Sequence, residues 1–220
     1  MVFEAVIFDW DGTLADTEPV VVLAFQTVLR EIGCIVSDEF LERLIGIGVR
    51  NMLKEALEST GMHLDDRALD DLVRRKNKVQ LGMTEKIELL KGAVDILESL
   101  HGKVKIALAT MSNRVVMDKV LAEKELRKYF NFVITADEVE RPKPDPEVFL
   151  ECAKELRCLP EKCVVVEDSV FGVIAARKAD MKCIAVPSGA YSAEELRKEE
   201  PDLIVNSLEE KQKILNYILT

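Results

Sequence analysis

The chain opens on a short continuous apolar run, Ala5-Val6-Ile7-Phe8, that stops at a carboxylate, Asp9. Such a run predicts a strand buried on both faces, whose last residues reach the sheet edge where parallel sheets bind ligands. From Asp16 to about Thr84 the pattern becomes helical. Four stripes are read there: Val20, Leu23, Ala24, Val28 and Leu29; Phe40, Leu41, Leu44 and Ile45; Met52, Leu53, Ala56 and Leu57; and the mixed set Leu69, Leu72, Val73, Lys76 and Val79. Ser37-Asp38 and Asp65-Asp66 are natural helix starts, and Gly33 and Gly61 natural stops.

Beyond this bundle the period shifts to strands alternating with helices. Apolar, β-branched runs occur at residues 105–109, 132–135, 163–166, 183–186 and 203–205. Sequential βα units with right-handed crossovers predict an α/β, doubly wound, mainly parallel sheet of about six strands, Rossmann-like, with helices on both faces. The bundle is then an insertion after the first strand. The expected division is an α/β core of residues 1–15 and 86–220 and an α-helical cap of residues 16–85.

Composition narrows the partners. A chain of 220 residues, 48% hydrophobic, can bury one good core and a smaller accessory one. A formal charge of −10 and a pI near 4.9 argue against nucleic acid or an acidic membrane as partner. With no signal-peptide pattern and no membrane-length apolar run, a cytoplasmic protein is expected, either a monomer or a homodimer. The five cysteines, Cys34, Cys152, Cys158, Cys163 and Cys183, form no CxxC pair and are expected as buried free thiols.

Candidate chemistry lies at the predicted strand ends. Alternation along extended chain lets Asp9 and Asp11 point the same way with Trp10 aimed elsewhere, and two carboxylates in one space call for a cation or a shared proton. Gly12 permits a sharp turn, and Thr13 adds a hydroxyl. Thr110-Met111-Ser112-Asn113 offers hydroxyls, an amide and backbone N–H groups where a helix begins, which suits an anion; Ser112 or Asn113 as a plain helix cap explains the same residues. In Arg141-Pro142-Lys143-Pro144-Asp145-Pro146 the prolines stiffen the chain and aim the lysine. Val164-Val165-Val166-Glu167-Asp168-Ser169 closes another strand on carboxylates, with helix capping as the alternative. Four acidic groups facing one lysine form a hard oxygen set that suits Mg2+.

These four segments, in this order, resemble the four motifs of the haloacid dehalogenase superfamily. The helical insertion after the first is similar to the cap of its β-phosphoglucomutase and phosphoglycolate phosphatase branch. The resemblance implies Asp9 as nucleophile and Asp11 as general acid and base. It further implies Thr110 and Lys143, with the neighbouring Met111, Ser112 and Asn113, as a phosphate clamp, and Asp168 and Glu167, with Asp9 and Asp11, as a Mg2+ site. The expected function is a Mg2+-dependent phosphatase acting on a small phosphorylated metabolite, of sugar phosphate or phosphoglycolate type, through an aspartyl-phosphate. A carboxylate at Asp11 suits phosphoryl transfer, since a dehalogenase has no need of it.

In the cap, Glu18, Arg43, Arg50, Arg75 and Lys76 are polar candidates, each with a solvated helix face as the alternative; Arg50 and Lys76 fall near the positions where the mutases bind a second phosphate. Mutases of the family, and many of its sugar phosphatases, carry a histidine five residues after the aspartate that follows the first motif; counting from Asp16, this chain has Val21. Valine cannot relay a proton, so hydrolysis is expected over a phosphosugar mutase. A non-enzymatic, phosphate-accepting signalling module is a third reading, disfavoured by the insertion and by Asp11. His63 and His101 are expected at turns or helix ends away from the site, and Trp10 packs on the sheet edge, shields the nucleophile or faces the cap.

Overall fold

The apolar run Ala5–Phe8 is β1, the middle of a parallel sheet, paired on both sides. The computed structural model describes residues 2–220. After β1 the chain forms β2 (Ala15–Asp16) and four helices, α1 (Glu18–Glu31), α2 (Asp38–Glu42), α3 (Val49–Ser59) and α4 (Asp66–Leu81). It returns through β3 (Glu88–Leu89) and α5 (Ala93–Leu100). The remaining elements alternate: β4 (Lys105–Ala109), α6 (Arg114–Glu123), β5 (Phe132–Ile134), α7 (Glu147–Leu156), β6 (Cys163–Glu167), α8 (Val170–Lys178), β7 (Lys182–Ala185), α9 (Ala193–Lys198), β8 (Leu203–Ile204) and α10 (Lys211–Leu219). The strand order is β5-β4-β1-β6-β7-β8, every neighbouring pair parallel, as the sequence pattern predicts.

Alternation along the strands divides the core into two layers. Val6, Phe8, Ile106, Leu108, Val164, Val166 and Ile184 face one side, where they meet α5, α6 and α10. Ile7, Ala107, Val165, Cys163 and Cys183 face the other and meet α7, α8 and α9. Trp10 is packed into the first layer, so its role is structural. All five cysteines are free and buried.

Register sets the site. Phe8 stands opposite Leu108 on one side and Val166 on the other. The next residues, Asp9, Ala109 and Glu167, therefore end at one level, and the Asp9 amide extends the ladder to the Val166 carbonyl at 3.0 Å.

The four inserted helices share a separate apolar cluster built on Phe25, Val28, Leu29, Leu41, Leu53, Ala56 and Leu72. The chain leaves and re-enters the sheet through β2 and β3, which pair antiparallel, Ala15 opposite Leu89 and Asp16 opposite Glu88; nothing in the hydrophobic pattern announces so short a ribbon. Ser37 and Asp65 cap α2 and α4 as expected, accepting from the amides of Phe40 and Ala68. One stripe is corrected. Leu23 is 48% exposed, whereas Val21, Val22 and Phe25 are buried in the cap cluster and Val20 in the sheet core. The single-stripe rule assumes one covered face, and α1 is covered on several sides. The second expected helix is also shorter, with Leu44 and Ile45 in the turn beyond α2.

The correction is measurable by urea denaturation. Phe25→Ala, which empties a fully buried site, is expected to cost about 3–5 kcal/mol, and Leu23→Ala to stay within about 0.5 kcal/mol.

Candidate active site

The Lys143 ammonium is buried between two carboxylates, with Nζ 2.5 Å from Asp9 Oδ1 and 2.6 Å from Glu167 Oε1. Burial works against its charge, but Asp9 and Glu167 outweigh burial and raise its pKa. The ring of Phe149, on α7, lies 5.0 Å from Nζ. The proline-rich segment aims the lysine, and Asp145 then accepts from the Glu147 amide at 3.0 Å to start α7.

Glu167 is held from the other side. Its Oε2 accepts from the amides of Asp168 and Ser169 at 3.0 and 2.9 Å and from the Ser169 hydroxyl at 2.9 Å. Ser169 also caps α8, accepting from the Gly172 amide at 3.1 Å. At Asp168, Oδ1 accepts from Thr13 at 3.0 Å. Its Oδ2 is pressed between two glycines, since a Cβ at Gly12 or Gly189 would come within 2.2 or 2.0 Å of it. Gly12 also has φ +78°, which disfavours any other residue.

Oxygens of Asp9, Glu167 and Asp168 lie within 4.8 Å of one another. Burial raises the pKa of both Asp9 and Asp168, and neighbouring carboxylates raise them further, with Lys143 opposing. Lys143 meets Asp9 only at Oδ1 and Thr13 meets Asp168 only at Oδ1, so one oxygen of each has no donor among the described residues. A buried, hard, electron-rich oxygen set of this kind fits a divalent cation such as Mg2+.

Asp11 stands near enough to Asp9 to help raise its pKa. The expectation counted its carboxylate among the metal ligands, but it stands outside the three-carboxylate group. Oδ1 accepts from Thr17 at 2.7 Å, and Oδ2 from Thr110 at 3.1 Å and Ser112 at 3.0 Å. Just beyond Asp11 the backbone turns tightly, the Trp10 carbonyl accepting from the amides of Thr13, Leu14 and Ala15. The 110–113 segment divides its work. Thr110 and Ser112 serve Asp11, Asn113 caps α6 by accepting from the Val115 amide at 3.1 Å, and Met111 packs beneath the sheet edge. Thr17 was missed; its signal is a hydroxyl one residue beyond the chain's exit into the cap.

Cap residues separate clearly. Lys76 is buried, with Nζ 2.5 Å from Gln80 Oε1 and 4.7 Å from the Phe25 ring centroid. Burial lowers its pKa to about 8, with Asp11 pulling the other way. Lys76 and Asp11 face each other across a cavity of about 20 Å³, walled by Val21 and Phe25 of α1 and by Ile45, Gly46 and Gly48. Arg50 pairs with Asp66 and Asp70 of α4 and lines a neighbouring cavity of about 260 Å³ with Asn77, Met111 and Asn113. Arg75 pairs with Glu31 and Asp71 on the outside of the cap. Half-buried Glu18 is pushed up to about 7 by burial and by Glu42 and Asp16. His101 ends α5 against the Tyr129 ring, and His63 is exposed; neither joins the site.

The family profile described as "Haloacid dehalogenase-like hydrolase" matches residues 6–186. The chain belongs to the haloacid dehalogenase-like hydrolases. It is 35% identical to the fructose-1-phosphate phosphatase YqaB of Escherichia coli over 84% of this chain and 96% of that one. It is 35% identical to a phosphorylated carbohydrates phosphatase of Thermotoga maritima over 82% of this chain and 83% of that one. A crystal structure of β-phosphoglucomutase from Clostridium difficile superposes with a TM-score of 0.87 at 27% identity, covering 99% of this chain and 98% of that one. As a haloacid dehalogenase-like hydrolase with phosphatase relatives, the chain is an enzyme of the phosphoric monoester hydrolase type.

The buried lysine of the cap has a pH signature. Unfolded, Lys76 keeps its proton up to about 10.5; folded, it releases it near 8. The folded chain thus carries a penalty that is complete below pH 8 and fades as pH rises to 10.5. Lys76→Met is expected to stabilise the protein at pH 7 by about 3 kcal/mol, the gain shrinking toward zero at the alkaline end, as read by urea denaturation of both proteins.

Proposed function

We propose that this enzyme is a Mg2+-dependent phosphatase of small phosphorylated metabolites, of sugar phosphate or phosphoglycolate type, working through an aspartyl-phosphate at Asp9. The observation that carries the proposal is the separation of two buried carboxylates, Asp9 held by Lys143 and Asp11 held by three hydroxyls. They have distinct environments and therefore distinct tasks. The carbohydrate phosphatases among the relatives support the substrate class.

In the proposed course Lys143 keeps Asp9 oriented and offsets charge at the incoming phosphoryl group. An Asp9 oxygen attacks phosphorus and the bond to the ester oxygen breaks, that oxygen taking a proton from Asp11. Water then attacks the same phosphorus, the bond to Asp9 breaks, and the water's proton passes to Asp11. Thr110, Ser112 and Thr17 hold Asp11 for both transfers. Asp9, Asp168 and Glu167 would hold Mg2+, which when bound supplies charge neutralisation at phosphate. The cap is proposed to span residues 16–85, with Lys76 reading the leaving group. Its closure excludes bulk water.

Likeness to a phosphoglucomutase supports a mutase as the second reading. Val21 weighs against it, because it lines the cavity beside Asp11 and offers no proton relay there.

A panel of phosphorylated metabolites, assayed for phosphate release with added Mg2+, tests the proposal. Turnover is expected for sugar phosphates or phosphoglycolate, lost on chelation and reduced about 10³-fold or more by Asp9→Asn. Unchanged turnover in that variant would overturn the mechanism. Conversion of glucose 1-phosphate to glucose 6-phosphate in the presence of a trace of bisphosphate would favour the mutase.

A further inference from the structure

The cap meets the sheet domain in a contact made from both directions. Arg43 follows α2, and Tyr191 lies between β7 and α9. Arg43 Nη2 is 2.8 Å from Glu195 Oε1 on α9, and its guanidinium carbon sits 4.7 Å from the centroid of the Tyr191 ring. In return the Tyr191 hydroxyl donates to the Arg43 carbonyl at 2.6 Å. The Tyr191 ring is buried and meets Phe171 edge-on, and Phe171 packs against both the sheet core and the cap cluster.

Each side of this contact leads to the reacting groups. On the cap side, Arg43 runs into Ile45, Gly46 and Gly48, which wall the cavity between Lys76 and Asp11. A Cβ on Gly46 would stand 3.5 Å from the Ser169 hydroxyl, so this segment rests directly on the core loops. On the sheet side, the Ser188 hydroxyl donates to the Gly12 carbonyl at 2.7 Å, and Gly189 abuts Asp168.

We propose that Arg43 and Tyr191 form a latch that holds segment 43–48 over Asp11 and Lys76 and so keeps the cap closed; both are positioning residues, touching no reacting atom themselves. The space between Lys76 and Asp11 is narrow, about 20 Å³, so parting segment 43–48 from the core would widen the way to Asp11. The latch is built to part. Side chains of Arg43 and Glu195 are 43% and 34% exposed, so separating them returns both charges to water instead of stranding one inside. An exposed ion pair alone holds weakly, and stacking on a buried tyrosine with its own hydrogen bond makes the contact specific.

Lys76 reports closure without any assay of activity. Its pKa, lowered to about 8 by burial, depends on the roof that segment 43–48 provides, and among the described residues Asp11 is the one other charged group lining that cavity. The test is a pH titration of the full chain labelled with 13C-lysine, followed by NMR, with Lys76→Met identifying the signal. The wild type is expected to titrate near 8. Arg43→Ala, Tyr191→Phe and Glu195→Gln are expected to move the midpoint toward 10.5, and Arg43→Lys to restore part of the shift. A Lys76 midpoint that stays near 8 in folded Arg43→Ala and Tyr191→Phe, or a wild-type midpoint near 10.5, would overturn the latch. Should either of those variants fail to fold, Arg43→Gln, which removes the charge and its stacking on Tyr191 while keeping a long polar side chain, decides by the same criterion. Since no turnover is measured, failure of the phosphatase proposal leaves this result standing.

Discussion

The buried ammonium of Lys143 is the constraint on which this architecture turns. It lies between Asp9, which follows β1, and Glu167, which ends β6, so it binds the ends of two adjacent strands together. An isolated ammonium taken from water into a low-dielectric interior costs of order 20 kcal/mol in the idealised limit, and so do unpaired carboxylates. Each group is tolerable only because the others are present. Asp168, one residue from Glu167, adds negative charge that Lys143 alone does not balance, and this excess is the physical argument for a divalent cation.

The rest of the molecule serves that cluster by proximity. Parallel register brings the ends of β1, β4 and β6 to one level. Two glycines let the backbone close around Asp168. Hydroxyls rather than cations gather around Asp11, which separates its chemistry from that of Asp9 although the two are neighbours in sequence. The cap then contributes one buried cation, Lys76, opposite Asp11.

Much of this is legible in the amino-acid sequence, for identifiable reasons. Strands ending in carboxylates stand out because buried parallel strands are continuous apolar runs, and the other five strands of the parallel sheet fall where the sequence has apolar, β-branched runs. Lys143 stands out because prolines flank it. What escapes is whatever depends on a turn or on packing from several sides. The partners of Asp11 depend on hydroxyls of Thr17, Thr110 and Ser112 meeting across the fold, and the exposure of Leu23 on α1 being covered by more than one neighbour. Arg43 and Arg50 read alike as cap cations. Only tertiary contact distinguishes the one that meets Tyr191 and Glu195 from the one that meets Asp66 and Asp70.

The central claim, that Lys143 offsets the carboxylates around it, is tested most directly by a thermodynamic mutant cycle in metal-free buffer. Lys143→Met is compared with Lys143→Met combined with Asp9→Asn and Glu167→Gln, each unfolded by urea. The lysine variant alone should lose about 3–5 kcal/mol, and neutralising the two carboxylates should recover most of that loss. Lys143→Met as stable as the wild type, or no recovery in the combined variant, would contradict the account.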